Sequence, residues 1–600
     1  MTTESVTSRK IRNYHIYQRS LYVHPAYYPI DQTLPSERYQ PVASWLGRLI
    51  LPTHQERRRV NGVLFEVYHA PEKQHHLVGQ VVYLRWSDNP EVQVRVWSVT
   101  RNVFFDAKTN QSIELGRIHP ERLNNWSLVG PLESLAGAHP YDDVIVRLPD
   151  PVEVQTDSAD PDQAVLTIEH HPVQVTGRYY ALVQFIGPEQ AGSDRYRVVH
   201  FNPATRQFDG AEETVLLPQV EATEDDVRPS TREGIEDSIH NTHGWYIYGT
   251  QNQERFFVIQ ALMPRDLVSL KPERVILDAH EANRYIKKGA WDDVVAGRGT
   301  AGSVLLSPQS GSDSDALAEW REGDRALLLH IYGGITGKKT EPIARTGIYF
   351  GHFAYGCATV VYDPLAQELR FDITYYQVYT HNFDGIISGI MDWSRYMGDR
   401  QWGWLGFRPV VDVLIKLDAL TDDYDFDGVK RSALAELARM LETMTSRYRI
   451  GDGTGGTYVA ASNNCAQDSN QALYATIKTI STAIDINPYL KSWLARETTE
   501  AARFHRLISL GQDLKRTMLP FGTARADWNY RAETLGVTLE ETPVRNLLTG
   551  LVSWRTLMPR IANNKLISVF LKHGASAWVL RTSQVGGDNP DIEPLPPLVF

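Results

Sequence analysis

The chain has 600 residues, 42% hydrophobic and 22% charged, with a formal net charge of -11; such a length exceeds what one hydrophobic core serves and sets an expectation of roughly three to five domains. A mean hydropathy of -0.34 excludes a membrane bundle, and dispersed Lys and Arg residues give no basic surface for nucleic acid. Only two cysteines, Cys357 and Cys465, occur, which excludes a disulfide framework and a thiol-only zinc site and fits a reducing, cytoplasmic location.

Met1 to Tyr22 carries Arg9, Lys10, Arg12 and Arg19 without a following apolar stretch, so no secretory signal is expected. No later window reaches the roughly 20 apolar residues of a spanning helix, and at most peripheral membrane contact is expected. Val78 to Trp86, a Ser-Asp-Asn-Pro turn and the alternating Val92 to Trp97 read as a β-hairpin. Gly177 to Val183 and Tyr196 to Phe201 repeat the texture around a turn near Gly192, as if two small SH3-like barrels followed one another. Asp157 to Asp162 and Glu221 to Asp237, acidic and Pro-containing, read as exposed linkers. Gly244 to Tyr248 and Arg255 to Ile259 are again strand-like, and Ser307 to Asp315 reads as a loop. Beyond Phe407 the texture is helical over Val410 to Leu420, Gly428 to Ser446, Cys465 to Ile484 and Tyr489 to Leu510.

The chemistry concentrates at Asn463-Asn464-Cys465-Ala466-Gln467-Asp468, which follows a Gly-rich loop and opens a helical stripe of Leu473, Ile477, Ile480 and Ile484. A thiol at a helix amino terminus is biased toward thiolate by unpaired N–H groups and the helix dipole. The base is sought in Gly351 to Val361, where alternation places His352, Ala354, Gly356, Ala358 and Val360 on one face. Small side chains on that face suit docking of the Cys465 helix beside His352, while Cys357 faces away as a packed thiol. On the next strand, Glu368 to Tyr379, the group orienting the imidazole is expected to be Gln377 or His381 rather than Asp372.

This order of a His-bearing strand, a polar residue on the next strand and Asn-Cys at a helix start resembles the circularly permuted papain-like proteins of the NlpC/P60 superfamily, the branch with lecithin retinol acyltransferases and Lnb-type domains. The matching pieces are Gly351-His352-Phe353, Thr380-His381-Asn382-Phe383-Asp384-Gly385 and Asn464-Cys465. The resemblance implies Cys465 as nucleophile on an amide or ester, His352 as general base then acid, and an acyl-enzyme intermediate; His381, on a matching piece, stays beside Gln377 as a candidate third member. Ala-Gln-Asp after the cysteine departs from the acyltransferases, which carry an acidic residue and a histidine there. The rival is an inactive scaffold or adaptor that keeps the fold. A longer resemblance is to the soluble region preceding a CAAX-type (CPBP) membrane protease domain in some cyanobacterial proteins. That family's Glu-Glu-x-x-x-Arg pattern occurs as Glu540 to Arg545, but Arg555, Arg560, Lys565 and Lys572 interrupt every later span, so it reads as chance.

The expected architecture is multidomain α+β: an N-terminal β domain at 1–155, a second barrel-like module at 163–220, a connecting region at 240–324, a permuted papain-like domain at 325–485 and a helical C-terminal region at 486–600. The substrate is an unspecified peptide, lipid or other amide or ester, and no cofactor or metal is expected. Asp423 to Gly428 begins like a calcium loop but has Leu434 where a bidentate Glu is needed, so it reads as a helix-capping turn. Gly333 to Thr340 lacks P-loop spacing and reads as a hairpin turn, and His75-His76 and His170-His171 read as surface pairs. Trp393 to Trp404, with three Trp and a Tyr, is a candidate substrate-cleft lining, protein-partner surface or interdomain packing segment.

Overall fold

The computed structural model of the chain describes residues 28–102, 107, 123, 126–138, 144–157, 160, 163–220, 222, 232–341, 344, 349–382, 385–450, 464–519, 548, 552, 558–586 and 589–599. The Glu540 to Arg545 pattern therefore lies outside the described residues. Helices and strands are mixed, and no described helix is long and apolar enough to cross a membrane.

One fifteen-stranded sheet runs through the described chain. Its middle is formed by β1 (Arg325–Tyr332), β2 (His352–Asp363), β3 (Glu368–Asn382), β4 (Gly385–Asp392), β5 (Pro409–Lys416) and β6 (Ser576–Ser583). They lie in the order β6-β5-β1-β2-β3-β4, with antiparallel neighbours throughout. Beyond β6 come Thr300–Leu306 and Arg274–Ile276; beyond β4 the sheet continues through Val173–Gln174 into the N-terminal strands.

The two faces of this sheet meet different layers. On one face Leu328, Tyr332, Ala358, Val360, Phe371 and Tyr375 share a core with Leu182, Trp245 and Tyr246 of a separate six-stranded sheet. On the other face Leu329, Phe353, Tyr355 and Val413 share a core with α1 (Ala433–Ile450), α2 (Cys465–Ile486), α3 (Thr499–Met518) and α4 (Pro559–Lys572). The architecture is thus sheet on sheet on helices. Alternate side chains of β2 belong to different cores, which the period of a strand dictates once both faces are covered.

Several expectations are corrected by this arrangement. Residues 163–220 form no closed barrel of their own, because Ala164–Ile168 and Val173–Gln174 join the large sheet while Tyr179–Pro188, Arg195–His200 and Glu212–Leu216 join the six-stranded one. The C-terminal region is not only helical, since β6 is inserted between β5 and Thr300–Leu306; Gly574, at φ 89°, makes the sharp turn from α4 into it. Val410 to Leu420 is chiefly strand, as β5 is buried on both faces and so reads as a continuous apolar run.

Val92 to Trp97 is helical, within Pro90–Val99: Asn89 caps the Glu91 amide, Pro90 opens the first turn, and Val92 and Val99 are the residues buried. Asp423 to Gly428 lies on a hairpin, Tyr424–Phe426 with Val429–Arg431, turned by Asp427 and Gly428 at positive φ. Gly334–Thr336 is a short strand paired with Glu593–Leu595. His75 and His76 are exposed, but His171 is buried against the Trp86 ring at 4.9 Å, and burial lowers its pKa well below the ordinary value. Asp157 is likewise buried, with its carboxylate on Arg85, and most of the two linker segments lies outside the described residues.

A buried carboxylate ties the two sheets. Asp363, at the end of β2 and without solvent exposure, accepts hydrogen bonds from Tyr180 Oη and Tyr246 Oη of the six-stranded sheet, both at 2.9 Å, and from the Ala366 amide at 2.8 Å. Arg370 stands 3.8 Å away and lies over the Tyr246 ring. Substituting Asp363→Ala strands two buried hydroxyls and a guanidinium, and is expected to cost about 3 kcal/mol. A lowered unfolding midpoint in a thermal melt checks this; an unchanged midpoint contradicts it.

Candidate active site

Cys465 is the first residue of α2, and Asn464 caps that helix by accepting from the Gln467 amide at 3.1 Å. The sulfur is buried in the helix-side core. There Sγ accepts a hydrogen bond from the backbone N–H of Phe353, with N···S 3.4 Å. The β2/β3 ladder has Tyr355↔Tyr376 as its last pair at this end, and β3 changes register between Gln377 and Thr380. The helix start is therefore seated where strand pairing gives out.

His352 is the first residue of β2 and is also buried. Its Nε2 donates to Gln377 Oε1 at 2.7 Å, and its ring stacks on Tyr332 with centroids 5.0 Å apart. Of the two orienting residues considered from the sequence, Gln377 is the one bonded to the imidazole. His381 pairs with Ile386 along β3, and its side chain lies outside the described residues.

The helix reaches β2 from the face opposite to the one expected. Small residues on the His352 face admit the second sheet, whereas α2 packs on the face of Phe353 and Tyr355, where Tyr355 Oη donates to Asn470 Oδ1 at 2.6 Å. The sulfur nevertheless meets the backbone of the strand, at the Phe353 N–H. In any chain the Cβ of one residue lies about 3 Å from the amide nitrogen of the next. The His352 side chain thus springs from beside the same nitrogen that holds Sγ.

Electrostatics at the thiol oppose one another. Burial is the main influence and pushes the Cys465 pKa up to about 12; the Asp468 carboxylate adds to it, while the amides of Phe353, Ala466 and Cys465 act in the other direction. Asp468 is itself buried and is held by Tyr448 Oη of α1 at 2.6 Å. The resting thiol is therefore neutral. Cys357 lies on the helix side of β2, as parity requires, and burial raises its pKa to about 12 too.

Sequence reasoning missed the amides around this point. Gln467, Asn470 and Gln471 fill the first turns of α2 and are all buried; neither terminal atom of Gln467 or Gln471 has a hydrogen-bond partner among the described residues. The polar run Gln467 to Gln471 is the signal that could have found them, because it precedes the apolar stripe on a helix start already chosen as the site. A second missed network lies on the His352 face: His330 bonds Asp412 at 2.6 Å and Tyr396 Oη at 3.0 Å, and Tyr375 Oη donates to Asp412 at 2.6 Å. Both ring nitrogens are thereby engaged, which is the pattern of a satisfied core histidine.

Of the readings of the Trp-rich segment, the packing one fits the structure and the partner-surface one does not. Trp393, Tyr396, Trp402 and Trp404 are all buried, and Trp393, Tyr396 and Trp404 belong to the core between the two sheets. Among the described residues no group of three His, Cys, Asp or Glu side chains could hold a metal ion.

Because Asp468 raises the thiol pKa, Asp468→Asn is expected to lower it and to speed alkylation of Cys465 at pH 9 relative to wild type. An unchanged rate in a variant with unchanged melting contradicts the assignment of that charge. No family model, curated protein or solved structure matches the chain, so the reading of this site rests on its own geometry.

Proposed function

We propose that the chain is a cysteine hydrolase or acyltransferase acting on an amide or ester, with Cys465 as nucleophile, His352 as general base and acid, and Gln377 as the residue that positions His352. The observation that carries this reading is the Phe353 N–H···Sγ bond, which brings the sulfur to the peptide unit bearing His352. The His352 to Gln377 bond supports it by occupying Nε2–H and leaving Nδ1 as the basic nitrogen.

A neutral thiol suits general-base activation, in which the proton leaves as the sulfur attacks. Sγ bonds the carbonyl carbon and its proton passes to His352 Nδ1. The amides at the start of α2 supply N–H donors for the oxyanion. Collapse expels the amine or alcohol, which takes the proton from His352, and leaves an acyl-Cys465 thioester. Water or a second nucleophile, deprotonated by His352, then releases the acyl group.

A second reading, a scaffold that retains the arrangement without turnover, is favoured by one observation: the thiol is buried and its pKa is about 12. Iodoacetamide labelling at pH 7 separates the two. The hydrolase reading expects Cys465 to react at least tenfold faster than in His352→Ala, with Gln377→Ala in between. Equal and slow labelling in all three proteins would instead establish the scaffold.

A further inference from the structure

A cavity of about 280 Å³, remote in sequence from Cys465, lies at the far side of the sheet where Thr300–Leu306, β6 and β5 meet the helix Ala279–Lys287. At about 30 Å³ for a water, this is room for roughly nine water volumes, the size of a free amino acid. Its polar lining includes one carboxylate, Glu273, and one guanidinium, Arg581.

The Glu273 carboxylate makes no hydrogen bond or ion pair among the described residues, and partial burial raises its pKa, offset in part by the Arg581 charge. Its carboxylate lies across Gly302, where a Cβ would come within 2.5 Å of Oε1. A β-carbon at this position would push the carboxylate aside. Arg581 is held in place through Nη1 on the Gly289 carbonyl and Nη2 on the Asp292 carbonyl, at 3.2 and 3.1 Å. Three lining residues, Tyr285, Trp291 and Thr582, carry buried polar atoms with no hydrogen-bond partner among the described residues, Oη, Nε1 and Oγ1. Val294, Val304 and Val411 complete an apolar wall.

We propose that this cavity binds a free, zwitterionic α-amino acid with an apolar side chain. The ammonium meets Glu273, the carboxylate takes the field of Arg581 and the donors of Trp291 and Thr582, and the side chain lies on the valines. A lone anion would be repelled by Glu273, and a lone cation by Arg581; a molecule carrying both charges is the complementary one. The site is separate from the Cys465 site and does not depend on its chemistry.

Isothermal titration of the full chain with L-leucine and L-phenylalanine tests this. Saturable binding is expected, weakened at least tenfold for N-acetyl-L-leucine, which lacks the ammonium, and for L-leucinamide, which lacks the carboxylate. Glu273→Gln should produce the same loss for L-leucine with an unchanged melting curve. Absence of binding at millimolar amino acid, equal binding of the N-acetyl derivative, or binding of D-glucose in its place would overturn the assignment. The derivative series on the wild-type chain decides the matter even if the variant folds poorly.

Discussion

The amide between His352 and Phe353 is the interaction on which the site depends. At the start of β2 the N–H of Phe353 donates to Cys465 Sγ, and the same peptide unit carries the imidazole that bonds Gln377. A buried N–H left without a partner costs free energy of about 1 to 3 kcal/mol, so the sulfur satisfies a need of the sheet while the sheet fixes the sulfur. Helix start, strand start and imidazole are thereby located by one bond and one covalent link.

The layers on either side make that arrangement rigid. The six-stranded sheet covers the His352 face, with Asp363 accepting Tyr180 and Tyr246 across the junction. The helices cover the other face, where Tyr448 to Asp468 joins α1 to α2 and Tyr355 to Asn470 joins α2 to the strand. Buried hydrogen bonds of this kind add geometric specificity more than stability. They also explain the tension at the thiol, since the same Asp468 that locks α2 in place raises the pKa of Cys465. In the proposed reaction a neutral thiol calls for proton transfer at the moment of attack rather than a standing thiolate.

Much of the local geometry around Cys465 was legible in the sequence because its signals are local. The Asn-Cys run followed by an apolar period marks the start of α2, and the alternation from His352 to Val361 marks β2 and sends Cys357 away from His352. Which layer covers which face was not legible, because small residues admit a sheet as readily as a helix. The error at Val92 to Trp97 has a different source: three valines spaced by two mimic a strand, and the Asn89-Pro90 helix start outweighs them. β5 and β6 fail for a third reason. Strands buried on both faces lose their period, and the long-range insertion of β6 beside β5 leaves no trace in either segment. The amides Gln467, Asn470 and Gln471 were visible as letters, but burial of a polar helix face cannot be read from a periodicity that expects apolar residues there.

The most direct test is to ask whether an acyl group stops at the sulfur. Intact-mass analysis of the chain mixed rapidly with p-nitrophenyl acetate should show one acetyl group, mapped by peptide digestion to Cys465, that forms and then decays. The adduct should be absent in Cys465→Ala and form at least tenfold more slowly in His352→Ala. An unacetylated Cys465, or acetylation at the same rate without His352, would contradict the assembled Cys465, His352 and Gln377 site.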